Sequence, residues 1–174
     1  MQSVLITLRI SGVRIDIHFS FLLFNAVLFL LRESQTILCF YGGCILHELG
    51  HILAAAAVGI SVQSVSMTGT GIIMTADKNI AVPAKYSLIV LAAGPLVNLF
   101  CAGISFLAGK NPSFTAVNLA LCVYNLLPFS FLDGGSALEI LVTGNSDEYA
   151  LRRFIALFRF IVVIIIGIFV IIYI

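Results

Sequence analysis

Long apolar stretches alternate with short polar breaks along most of this chain. The breaks between them carry charged and turn-forming residues. Apolar runs of about 20 residues have the length of a membrane-spanning helix, and the first run is short by that standard. The pattern predicts an all-α membrane bundle of about five transmembrane helices. The predicted spans cover about residues 17–31, 36–58, 84–108, 113–128 and 154–174.

Two segments outside the spans show a period of two instead. At the N-terminus, over 1–16, apolar and polar side chains alternate on either side of Ser11-Gly12, which predicts a small β-ribbon. Residues 61–82 read as two β-prone arms around a glycine-rich turn, which predicts a membrane-associated β-hairpin. An extended substrate could add a strand to its edge, although an ordinary loop fits the same residues. All segments belong to one predicted domain, 1–174.

Composition supports the membrane assignment. Of the 174 residues, 61% are hydrophobic and 10% charged, and the mean hydropathy is +1.16. Soluble domains carry about 25% charged residues, so the lipid bilayer is the expected surrounding of this chain. The net charge of +1 argues against nucleic acid as a partner. The four cysteines show no CxxC spacing, which argues against a cysteine zinc site or a disulfide framework.

The predicted second span, 36–58, contains a His-Glu-x-x-His motif at 47–51. On a helix, His47 and His51 share one face and can both direct a nitrogen at one metal ion. Glu48 lies beside them, where it can take a proton from a metal-bound water. A carboxylate within an apolar helix of bilayer length is costly and usually marks function. The motif predicts one Zn²⁺ per chain.

A third ligand is predicted after the fourth span. Pro128 ends that helix, and Asp133 follows just before Gly134 and Gly135, in a stretch suited to irregular backbone. Because catalytic zinc usually takes three protein ligands, Asp133 is the preferred candidate and Glu139 its rival.

Two further polar residues in or beside apolar runs have alternative interpretations. His18 is either a fourth ligand or an interfacial histidine at the start of the first span. Asn98, on one helix face with Gly94, either joins helices or lines the site.

Lysine and arginine side chains divide unequally between the two predicted sides of the membrane. One side receives Arg9, Arg14, Lys78, Lys85, Arg152, Arg153 and Arg159, and the other receives Arg32 and Lys110. The positive-inside rule then predicts a multi-pass cell-membrane protein with a cytoplasmic N-terminus. The second and fourth spans both run toward the cytoplasm, so the predicted ligands meet nearer the cytoplasmic face.

Taken together, these residues resemble the site-2 protease family of intramembrane zinc metalloproteases, peptidase family M50. The resemblance covers roughly residues 13–140 and is closest to the subgroup that contains a sporulation protease acting on a pro-sigma factor. The matching stretches are His47-Glu48-Leu49-Gly50-His51, Ala93-Gly94-Pro95-Leu96-Val97-Asn98, Asn125-Leu126-Leu127-Pro128 and Leu132-Asp133-Gly134-Gly135.

The resemblance implies zinc held by His47, His51 and Asp133, with Glu48 as the catalytic base. It also implies that Asn98 and Asn125 hold substrate or stabilise an oxyanion. The implied activity is that of a zinc metalloendopeptidase (EC 3.4.24) in regulated intramembrane proteolysis. It would cleave a membrane-anchored protein substrate within or near its transmembrane segment. A regulatory membrane protein would control this cleavage.

Two other functions fit parts of the pattern. A metal-ion transporter would need polar groups spread along a path, whereas here they are expected at one depth, with almost purely apolar outer halves. A catalytically inactive relative that binds membrane segments would not need Glu48 and a full ligand set.

Overall fold

The computed structural model describes residues 4–173 apart from 11, 32–33, 70, 77–81, 110 and 144. Arg32, Lys78 and Lys110, used above in the topology count, lie outside the described residues. The helices are α1 (Phe19–Leu31), α2 (Ser34–Ala57), α3 (Ala84–Ala108), α4 (Pro112–Asn125), α5 (Asp133–Val142) and α6 (Glu148–Tyr173), and the strands are β1 (Val4–Ile10), β2 (Val13–His18), β3 (Val62–Thr68) and β4 (Gly71–Ala76).

Helices occupy all five predicted spans, and their ends follow local chemistry. The α3 bounds equal the predicted 84–108. Helix α4 begins with Pro112 in its first turn, and Asn111 caps it by accepting a hydrogen bond from the Phe114 backbone N–H. It ends at Asn125 rather than 128. Helix α6 begins at Glu148 rather than at 154, because its first turns are polar and were not part of the apolar run.

Length and composition qualify two described helices as membrane spans, at Gln35–Ala57 and Ala84–Ala108. Helices α1 and α4 are shorter. The described structure is thus mostly helical with a small sheet, and the number of about five spans stays a prediction. The short helix α5 was not predicted, since ten residues give little periodic signal.

The predicted ribbon and hairpin form one sheet. Its strand order is β1-β2-β3-β4, with β2 and β3 parallel and the outer pairs antiparallel. Ile15 of β2 lies opposite Val65 of β3. Parallel neighbouring strands need a crossover connection. Here α1 leads the chain away from β2, and α2 brings it back to β3. The sheet therefore places the N-terminal strands and β3–β4 at the same end of this helix pair.

Helices α2, α3 and α4 pack closely because glycine lies at their contacts. A Cβ atom at Gly50 would lie 2.9 Å from the Ala93 carbonyl oxygen, and one at Gly43 would lie 2.8 Å from Leu121 Cδ1. Small residues permit this approach in membrane helices, where association depends on packing and polar contacts. The outward faces carry large exposed apolar side chains, such as Phe100 (69%) and Leu107 (85%), as expected against lipid.

Candidate metal centre

Three side chains from two helices converge inside the bundle. His47 and His51 lie one turn apart on α2 and are each 5% exposed, and Asp133 is the first residue of α5. The two Nε2 atoms are 3.1 Å apart, and Asp133 Oδ2 lies 3.1 Å from that of His47 and 3.2 Å from that of His51. These are the three residues predicted as ligands, and the structure brings them together.

The partners of the two imidazoles determine which nitrogen carries the proton. His47 Nδ1 lies 2.6 Å from Asn98 Oδ1, and His51 Nδ1 lies 2.7 Å from the Val90 carbonyl oxygen. Both oxygens only accept hydrogen bonds, so each Nδ1 is the donor. In the neutral ring the Nε2 atom then presents a lone pair.

Three lone-pair atoms therefore face one another at close range. Among the described residues, none donates a hydrogen bond to the buried Asp133 Oδ2, although both Nε2 atoms lie within 3.2 Å, because in the neutral rings neither Nε2 atom has a proton to give. A cation among them removes this conflict. Tetrahedral zinc with ligands at about 2.0–2.1 Å separates its ligand atoms by about 3.3 Å, which matches the observed 3.1–3.2 Å. The residues fit a zinc ion.

Gly94 of α3 has no side chain, and this leaves space beside these ligand atoms. A Cβ atom there would collide with His51 Nε2 and would lie 2.7 Å from His47 Cε1. Pro95 follows it and is fully buried, within a helix that continues past it. Gly94 therefore clears room at the centre itself.

Asp133 is presented by a compact loop between α4 and α5. Cβ atoms at Gly134 and Gly135 would collide with the Leu126 and Phe129 carbonyl groups. The Leu132 backbone N–H donates to the Phe129 oxygen at 2.9 Å, which closes the loop just before Asp133. The two glycines are needed because α5 begins directly against this loop.

Glu48 lies next to the ligands on α2 and is half-buried. It follows His47 directly and lies three residues before His51, within the same helical turn. Its role as the base stays a prediction.

The predicted asparagines have different surroundings. Asn98 is fully buried, and its Nδ2 donates to the Gly43 carbonyl oxygen at 3.0 Å and to Asn118 Oδ1 at 2.9 Å. It thus joins three helices and orients His47. Asn125 donates from Nδ2 to the Leu121 oxygen of its own helix. Roles of both asparagines toward substrate stay predictions.

Asn118 was not predicted. It is fully buried on α4 and donates to the Phe114 carbonyl oxygen while it accepts from Asn98. A polar row continues beyond it, where Thr115 donates to Ser105 at 2.8 Å and Ser105 to the Asn111 carbonyl oxygen at 3.1 Å. A hydrogen-bonded polar row thus extends between α3 and α4 away from the metal centre, in runs that were expected to be almost purely apolar. The spacing of Asn111, Thr115 and Asn118 on one helix face was the available signal.

The rival third ligand, Glu139, and the possible fourth ligand, His18, have other partners. Glu139 pairs with Arg152 at 2.6 Å and with Arg159 at 3.2 Å. His18 ends β2 opposite Val4. Among the described residues, the group with metal-ligand geometry consists of His47, His51 and Asp133.

The chain is similar to known proteins in sequence and in fold. The chain is 32% identical to a provisionally named zinc metalloprotease of Synechocystis sp. over 65% of its length, and 27% identical to a zinc metalloprotease of Methanocaldococcus jannaschii over 78%. The solved structure of a site-2 protease from Methanocaldococcus jannaschii superposes with a TM-score of 0.66 at 25% identity, covering 81% of this chain and 73% of that one. The fold is similar to that of a site-2 protease. No protein-family profile matches the chain.

The matched regions span 33% of the Synechocystis protein and 44% of the Methanocaldococcus zinc metalloprotease. The similarity therefore concerns only a part of these relatives. The sporulation subgroup stays a prediction.

Proposed function

We propose that this protein is an intramembrane zinc metalloendopeptidase of the site-2 protease type. The observation that carries the proposal is the convergence of three ligand atoms, from His47, His51 and Asp133, within 3.2 Å of one another. Similarity to two zinc metalloproteases and to a site-2 protease structure supports it.

His47, His51 and Asp133 would hold the zinc ion, and Glu48 would act beside it. Zinc bound here supplies Lewis acidity and makes water a nucleophile near neutral pH. Glu48 accepts a proton from the attacking water and returns it to the leaving amine. Asn98 and Val90 keep the imidazoles in the tautomer that leaves Nε2 free for the metal. Lipid-facing apolar surfaces around the helices limit access of bulk water.

The proposed substrate is a membrane-anchored protein cut within or near its transmembrane segment. A peptide bond in a helix is shielded by its own hydrogen bonds, so the substrate must be extended before attack. Strand β4 forms one edge of the sheet, and an extended segment can pair with such an edge. We also propose that the cleavage releases a transcription regulator and that a regulatory membrane protein controls the cleavage.

The proposed topology places the sheet and the metal centre toward the cytoplasm. One sheet contains both the N-terminal strands and β3–β4, which requires that an even number of spans separates them, as α1 and α2 would provide. The same sides follow from the positive-inside count.

The decisive experiment compares wild type with Glu48→Gln on a tagged transmembrane substrate in liposomes. We expect the variant to lose cleavage by about 10²–10⁴-fold, because the amide cannot accept the proton. Asp147→Asn, in an exposed loop, is the matched carboxylate control and should cleave normally. A chelator should stop the wild type, and added zinc should restore it.

Equal cleavage by both proteins would remove Glu48 from the mechanism. Metal uptake that survives Glu48→Gln would favour a transporter instead. The polar row at Asn98, Asn118 and Thr115 gives that rival little support, because its members are hydrogen-bonded to other protein groups. Zinc-loaded wild type that binds transmembrane segments without cutting them would favour the inactive relative.

A further inference from the structure

Arg159 of α6 contacts the chain on both sides of Asp133. Its Nε donates to the Pro128 carbonyl oxygen, and its Nη2 donates to Glu139 Oε1 at 3.2 Å. Pro128 lies before Asp133 in the loop between α4 and α5, and Glu139 lies after it in α5. We refer to these two contacts as the Arg159 bridge.

Arg152, on the same helix as Arg159, also binds Glu139. Its Nη1 donates to Glu139 Oε2 at 2.6 Å and its Nε to Glu148 at 2.8 Å. Each carboxylate oxygen of Glu139 therefore has its own arginine donor. Hydrogen bonds from Arg152, and then from Arg159, lower the pKa of the Glu139 carboxyl, which keeps it charged as the acceptor of the bridge.

The location of Arg159 explains why the contact matters. Pro128 is buried, and a carbonyl group withdrawn from water needs a hydrogen-bond partner. The Arg159 side chain is 28% exposed and that of Glu139 is 36% exposed, so their ion pair is only partly shielded from water. A planar guanidinium can serve two acceptors at once, which an ammonium group does less well.

Apolar packing provides little alternative support in the described part of α6. Phe154, Leu157 and Phe160 are 68%, 62% and 63% exposed, whereas Ile155 is buried. The outward face suits lipid. Polar contacts therefore form a large share of what joins α6 to α5 and the loop.

We propose that Arg159 is a positioning residue for Asp133. By joining the loop before Asp133 to the helix after it, the bridge holds Asp133 Oδ2 at 3.1–3.2 Å from the two imidazole nitrogens. The inference rests on the proposed function only in assuming that a metal ion binds there. The loop glycines give the α4–α5 loop its compact shape, and Arg159 keeps that loop in position relative to α2.

The test measures metal binding by the full chain in detergent, not activity alone. Zinc affinity would be measured by competition with a chromophoric chelator, and ligand geometry by the visible absorption of the Co²⁺-substituted protein. Arg159→Gln should weaken zinc binding about tenfold, the low end for residues that support a ligand, and should alter the Co²⁺ spectrum. Arg159→Lys and Glu139→Gln retain part of the bridge and should give intermediate losses.

Arg153→Gln is the matched control. Arg153 lies on α6 with its guanidinium 5.5 Å from the Tyr149 ring centroid, and its described contacts do not include the Asp133 loop. It should bind zinc like wild type.

Zinc affinities within about twofold of wild type for Arg159→Gln and Arg159→Lys, with unchanged Co²⁺ spectra, would overturn the inference alone. If Arg159→Gln does not fold, the lysine variant and Glu139→Gln decide in the same way. A wild type that binds no zinc would overturn the proposed function and this inference with it.

Discussion

The two halves of the metal centre are held by different kinds of structure. The histidine half lies on one continuous helix, packed against α3 and α4 through glycines, and its imidazoles bond to a buried amide and a backbone carbonyl. The Asp133 half lies at the end of an irregular loop, and partly exposed ion pairs join it to α6.

From this difference we infer that the histidine half of the metal centre is rigid and that the Asp133 half is adjustable. Buried and fully paired polar groups resist displacement, because breaking them leaves unsatisfied groups away from water. Exposed ion pairs contribute less and respond to salt and pH. Changes near the histidines should therefore have large effects on metal binding, and changes on the α5–α6 side smaller and graded ones.

The largest effect is expected from Gly94→Ala. The added methyl group would occupy the space at His51 Nε2, so the imidazoles and the metal could not keep their places. Zinc affinity should fall by at least about a hundredfold, the upper end for changes outside the ligands themselves. Equilibrium dialysis with zinc, followed by metal analysis, measures the loss.

Gly103→Ala is the control for that variant. It lies on the same helix with open space where its Cβ would be, and should bind zinc normally. Alanine favours the helix at both positions, so lower helix propensity cannot explain a loss at Gly94. Unchanged zinc binding by Gly94→Ala would show that the histidine half is adjustable too.

A smaller effect is expected from Asn98→Ala. The change leaves His47 Nδ1–H, the Gly43 carbonyl and Asn118 without their partner. It should cost on the order of 1–3 kcal/mol of stability and about 10- to 100-fold in zinc affinity. Thermal unfolding and chelator competition measure the two effects separately.

Ser105→Ala is the comparison for Asn98→Ala, because Ser105 lies two turns further along α3 and its described side-chain hydrogen bonds stay within the polar row between α3 and α4. It should lower stability by about 1 kcal/mol and leave zinc affinity unchanged. If Asn98→Ala also changed stability alone, Asn98 would join the helices without setting the His47 tautomer.

The smallest effect concerns Glu139 and pH. Arginine hydrogen bonds place the pKa of folded Glu139 below its usual value of 4.5. A carboxyl group with a lowered folded pKa contributes stability above its unfolded pKa and loses it as pH falls through the folded pKa. The difference in thermal unfolding temperature between wild type and Glu139→Gln should therefore be present near neutral pH, begin to shrink as the pH falls through about 4.5, and vanish once the pH is below the lowered folded pKa.

Because Glu139 is 36% exposed, that difference should be small and should weaken with added salt. A difference that persists unchanged into acid would mean that packing, rather than the charged pair, joins α5 to α6. The adjustable side of the centre would then resemble the rigid one.

Local pattern was sufficient for much of this molecule. The apolar run over 84–108 coincides with α3, and the i, i+4 spacing of His47 and His51 placed both imidazoles on one helix face. The choice of Asp133 over Glu139 came from the irregular backbone expected around two glycines, and the structure brings Asp133 to the histidines. Helical and strand periodicity act between near neighbours, so they can be read without a fold.

Contacts between distant segments decided the rest. The ribbon and the hairpin became one sheet only because α1 and α2 return the chain beside β2. Asn118 acquired its role from an asparagine on α3, and Arg159 from a proline carbonyl in a preceding loop. The residue types and helical faces followed from the sequence. The partner of each buried polar group did not, because it depends on which helices pack together and at what depth.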